Sequence, residues 1–99
     1  IYGDEFTVLS KPATRAEFAY VLANTLPNSE FKKLNNILSL PDVDHTTKYN
    51  FEIFKLYNAG ILMGQDKNLT FNPDANISRA EAAAILIRLV KPENRILLK

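Results

Sequence analysis

The feature that most constrains this chain is a tetrad that occurs twice, as Thr14-Arg15-Ala16-Glu17 and again as Ser78-Arg79-Ala80-Glu81, 64 residues further on. Each copy has the form of a capping box. The Thr14 or Ser78 hydroxyl can accept from the backbone N–H three residues later, and Glu17 or Glu81 can reach back to the N-cap N–H. Each therefore marks the start of a helix. The same offset aligns Ala19, Leu22, Ala23 and Leu26 with Ala83, Leu86, Ile87 and Val90, an i, i+3, i+4, i+7 apolar stripe in both copies. Leu26-Pro27-Asn28 and Val90-Lys91-Pro92-Glu93 supply the stops, because proline cannot continue the helical hydrogen bonds. Two amphipathic helices of roughly three turns are expected.

Between them, Phe51 to Ala59 predicts another helix, with Phe54, Tyr57 and Ile61 at helical spacing and Gly60 where a left-handed C-cap would fall. The segment Met63 to Ile77 is rich in turn formers and predicts a long loop pinned by Leu69, Phe71 and Ile77. The resulting expectation is an all-α domain of helix, long loop, helix units. About one and a half units pack as a small bundle, with the stripes around Leu22 and Leu86 as the shared core. Residues 1–28 read as the second half of a preceding unit, 29–39 as a connector, 40–92 as a complete unit and 93–99 as a tail. Tyr20, Phe51, Phe54 and Tyr57 are expected in the core.

Composition narrows the function. Twelve Lys+Arg against eleven Asp+Glu leave a net charge of +1, so no long-range field favours nucleic acid or an anionic membrane. No apolar run is long enough to span a bilayer, and no signal peptide is visible. The absence of cysteine removes disulfides, thiolate metal sites and a cysteine nucleophile. The alternation Asp66-x-Asn68-x-Thr70-x-Asn72-x-Asp74 resembles a calcium loop, but Phe71 stands where glycine is needed and Ile77 where a bidentate glutamate is needed. His45 is the only histidine and has no evident metal or triad partner. No carboxylate pair stands out as an acid/base couple, so no metal, cofactor or catalytic residue is expected, and binding is favoured over catalysis.

The arginines are the unexplained part of the tetrad. A capping box needs no cation at the first helical position, where the positive end of the helix dipole makes one mildly unfavourable. Free backbone N–H groups, the dipole and a guanidinium together suit a carboxylate or phosphate. A salt bridge to a nearby acid such as Asp74, or an arginine lying along the surface, is the simpler alternative.

Taken in order, Leu40-Pro41-Asp42-Val43, Tyr57-Asn58-Ala59-Gly60-Ile61, Gly64, Phe71-Asn72-Pro73 and Ile77-Ser78-Arg79-Ala80-Glu81 resemble the S-layer homology domain of bacterial cell-surface proteins. Phe6, Pro12 and Ala13-Thr14-Arg15-Ala16-Glu17 resemble the second half of a preceding unit. The resemblance implies non-covalent anchoring of an exported protein to the cell wall. Its ligand would be a secondary wall polysaccharide linked to peptidoglycan and often carrying a pyruvate ketal. It also implies units that assemble in threes with grooves between them, so further units or self-association would complete the bundle. The motif arginine then becomes a carboxylate clamp in a groove, carried over to Arg79 and to Arg15. Gly64 would give the polymer close access to the backbone, with Tyr49 as a sugar platform and Asp42 as a further supporting residue. His45-Thr46-Thr47-Lys48-Tyr49 occupies the place of a frequent tryptophan, and Gln65 that of a frequent tyrosine. The alternative function is a structural or protein-interaction module with degenerate grooves.

Overall fold

The computed structural model describes residues 13–98, which form three α-helices and two short 3-10 turns, with no strand or sheet among the described residues. Helix α1 spans Arg15–Ala23, α2 spans Asn50–Asn58 and α3 spans Arg79–Val90. Phe6 and Pro12, read above as part of a preceding unit, lie outside the described residues.

Both capping boxes are closed. Glu17 N donates to Thr14 Oγ1 at 3.0 Å and Thr14 N to Glu17 Oε1 at 2.9 Å. Glu81 N donates to Ser78 Oγ at 3.1 Å and Ser78 N to Glu81 Oε1 at 3.2 Å. Helix α1 ends at Ala23, earlier than its proline stop, with Asn24 N bonded to Val21 O at 3.2 Å. It has no basic residue in its own last turn, and Lys55 of α2 supplies one by donating Nζ to Ala23 O at 3.2 Å. Helix α2 enters from Tyr49, left-handed at φ 64°, and leaves through Gly60 at φ 80°, the C-terminal turn expected from the sequence. A Cβ on Gly60 would meet Ile96 O at 2.8 Å, so glycine also lets the C-terminal segment approach.

The core is centred on α2 and on the loop after it. Ile53, Leu56, Tyr57, Ile61 and Phe71 are almost completely buried, each contributing about 1.5–3 kcal/mol of hydrophobic stabilisation. Helix α1 joins them with Ala16, Phe18, Ala19, Leu22 and Ala23. The second stripe differs from expectation. Helix α3 buries Ala82, Ile85 and Leu89, while Leu86, Ile87 and Val90 are 39%, 49% and 67% exposed. Equal patterning therefore does not give equal environments. Helix α1 packs against α2, whereas α3 presents a face rotated by about one residue toward the loop and leaves the homologous stripe outside. Tyr20 and Phe51 are likewise exposed, at 41% and 71%, and only Tyr57 and, in part, Phe54 serve the core as expected.

The segment 31–39 has no regular structure but is firmly tied. Asn35, itself buried, donates Nδ2 to Tyr57 O and to Ile96 O, each at 3.0 Å, and its Oδ1 accepts from Leu98 N at 2.6 Å. One side chain thus joins connector, α2 and C-terminal segment. Arg95 then folds back on α3, donating Nη2 to Leu89 O at 2.9 Å and Nε to Arg88 O at 3.0 Å. These bonds satisfy last-turn carbonyls that would otherwise lack partners.

Candidate functional site

The site is built where the two tetrads meet. The chain just before each one pairs antiparallel with the other, Thr14 against Asn76, with Ile77 N donating to Ala13 O at 3.1 Å and Arg15 N to Ala75 O at 2.8 Å. Ala16 N continues this by donating to Pro73 O at 3.0 Å. The first turn of α1 is consequently closed by the long loop. The free N–H groups anticipated for an anion at this helix start are occupied, which corrects that part of the chemistry for the first copy.

Arg15 is only 4% exposed. Its guanidinium lies 5.0 Å from the centre of the Phe71 ring, its Nε donates to Phe71 O at 2.6 Å, and its Nη1 is ion-paired with Glu81. Its acid partner is Glu81, on the second tetrad, instead of Asp74. Glu81 divides its oxygens accordingly: Oε1 completes the capping box, and Oε2 meets Arg15 and accepts from Gln65 Nε2 at 3.3 Å. Burial alone would raise the Glu81 carboxyl, but the Ser78 N–H, the Arg15 cation and the Gln65 amide outweigh it and hold its pKa below the ordinary value. No local pattern of residues signals this second duty of a capping glutamate.

The loop that supplies Phe71 is fixed from both ends. Asp42 Oδ1 accepts from Phe71 N at 3.0 Å and Oδ2 from Asn72 N at 2.6 Å. Asp66 Oδ1 accepts from Asn68 N at 2.9 Å and Thr70 N at 3.1 Å, an Asx turn in place of metal ligation. Among the described residues no group of His, Cys, Asp or Glu is arranged to hold a metal ion. Tyr57 OH donates to Leu69 O at 3.0 Å, and burial pushes that phenol well above its ordinary pKa, so it stays a neutral donor.

The predicted site residues fall in three places. Arg15 and Gly64 line one cavity of about 190 Å³ together with Met63, Glu81, Ala84 and Arg88. Gly64 is left-handed at φ 80°, and a Cβ there would lie 2.8 Å from Leu69 Cα. Its glycine is thus required by the loop's own packing, and the bare backbone also forms the cavity wall. Tyr49 and Asp42 line a different, polar cleft of about 440 Å³ with Thr14, Thr46, Thr47 and Asp74. The Tyr49 ring already stacks on Tyr20 at 4.4 Å and carries Lys48 Nζ at 5.1 Å. Arg79 lines neither cavity and sits exposed at the start of α3.

A sequence model of the S-layer homology domain matches residues 39–83. Over that segment the chain is similar to the S-layer homology domain family. The match takes in Asp42, α2, Gly60, Gly64, Phe71 and the whole second tetrad. No curated protein and no solved structure matches the chain. S-layer homology domains are binding modules that attach proteins to the bacterial cell wall and surface, and the all-α fold of the described residues agrees with that similarity. No helix among the described residues is long and apolar enough to cross a membrane.

Proposed function

We propose that this chain anchors an extracellular protein non-catalytically to the bacterial wall by binding an anionic, pyruvylated secondary wall polysaccharide, with the cavity between the two tetrads as one groove. The observation that carries this reading is the meeting of Arg15 and Gly64, 49 residues apart in sequence, on one cavity. A cation stands beside a bare stretch of backbone. Arg15 Nε and Nη1 are occupied by Phe71 and Glu81, which leaves Nη2 as the edge for a ligand carboxylate, and the internal bonds hold that edge in place before binding. A cavity of this size is smaller than drug-sized pockets and suits one sugar with its acidic substituent.

In this reading Arg79 is the clamp of the next groove, completed by a further unit or a second chain, just as the second unit completes the groove of Arg15. The division into a half unit at residues 1–28, a connector, a full unit at 40–92 and a tail belongs to the same proposal. Tyr49 and Asp42 belong to the separate polar cleft, so their support is to the loop and to the rim of the bundle.

The burial of Arg15 in an internal ion pair favours a second reading, in which the groove is degenerate and the chain is a structural or protein-interaction module. Sedimentation with purified cell walls separates the two. Arg15→Lys combined with Arg79→Ala, checked for folding by circular dichroism, should reduce the bound fraction at least tenfold if these arginines hold the glycan. Unchanged sedimentation by the folded variant rejects the clamp.

A further inference from the structure

Arg88, in the last turn of α3, is the second cation that lines the Arg15 cavity. Its Nε donates to Ile61 O at 2.8 Å, which fixes the guanidinium beside the segment leading to Gly64. The side chain is partly buried, and that burial lowers its pKa, yet among the described residues it has no carboxylate partner. Only Nε is tied to the protein's own backbone, so Nη1 and Nη2 are left for solvent or for acceptors that a ligand brings.

Its register on α3 says where those acceptors would lie. Glu81, Ala84, Ile85 and Arg88 follow i, i+3, i+4, i+7 and together form one wall of the cavity. Glu81 marks the end occupied by Arg15. Arg88 stands two turns further along, about 10 Å on the helix axis, which is longer than a single hexose ring.

We infer that Arg88 is a second glycan contact, donating from Nη1 and Nη2 to oxygen acceptors on the sugar next to the one whose carboxylate meets Arg15. The inference rests on the anchoring function proposed above. It makes the cavity part of an extended groove that reads two consecutive sugars, with the anion at the Glu81 end.

Calorimetric titration of the full chain with two probes tests it: the methyl glycoside of a pyruvate-ketal hexose, and a disaccharide ending in that same residue. Arg88→Gln should weaken disaccharide binding about tenfold and leave monosaccharide binding unchanged, with Arg88→Lys falling between. Melting temperatures report folding, and if Arg88→Gln is unfolded the same comparison is made with Arg88→Lys. Unchanged disaccharide binding overturns the inference, as does an equal loss with both probes, which would put Arg88 on the terminal sugar. Failure of the wild-type chain to bind either probe is a different result and overturns the anchoring function together with it.

Discussion

Arg15 and Glu81 form an ion pair that joins the two tetrads, the arginine of the first meeting the glutamate of the second. The pair spans the junction between repeat units, and the same guanidinium holds the Phe71 carbonyl and lies over its ring. One buried cation therefore sets the position of α1, the long loop and α3 relative to one another.

Removing the carboxylate from this pair should destabilise the fold. Glu81→Ala leaves a buried guanidinium without its counter-charge and opens the capping box, at a cost of about 2–4 kcal/mol. Urea unfolding measures it, and a double-mutant cycle with Arg15→Lys should give a coupling energy of at least about 0.5 kcal/mol. Additive effects would show that the two residues do not act as a pair.

The same pair predicts a pH dependence. The folded-state pKa of Glu81 lies below its unfolded value, so its contribution to stability is present above the ordinary glutamate range and is lost as pH falls through the folded pKa. Stability measured from pH 7 down to pH 3 should fall less steeply in Glu81→Gln than in the wild type. Parallel curves would count against this assignment.

Gly64→Ala should be destabilising by more than about 1 kcal/mol, because the residue is left-handed and the added Cβ would lie 2.8 Å from Leu69 backbone atoms. Thermal unfolding checks this. A neutral substitution would mean that the loop is free to relax away from Gly64.

Asp42→Ala should release two backbone donors, Phe71 N and Asn72 N, at a cost of about 1–3 kcal/mol. Amide hydrogen exchange at these two positions should accelerate well beyond that of the α2 amides. Equal acceleration throughout would indicate global unfolding without a local role for Asp42.

Much of this architecture was legible in the residues. Capping boxes, the helix before Gly60 and the pinned loop all rest on local chemistry or on ordered motifs. The face of α3 was not legible, since an amphipathic stripe says which residues are alike and leaves open what covers them: Leu22 is packed beneath α2, whereas its counterpart Leu86 is 39% exposed. The duty of Glu81 toward Arg15 and the place of Arg88 also escaped, because both arise from contacts between segments far apart in sequence.

The central claim, that an acidic wall glycan is the ligand, is tested most directly by sedimenting the chain with native cell walls and with the same walls stripped of acid-labile ketals. The account predicts binding to the native walls and its loss on the stripped ones. Equal binding to both would contradict it.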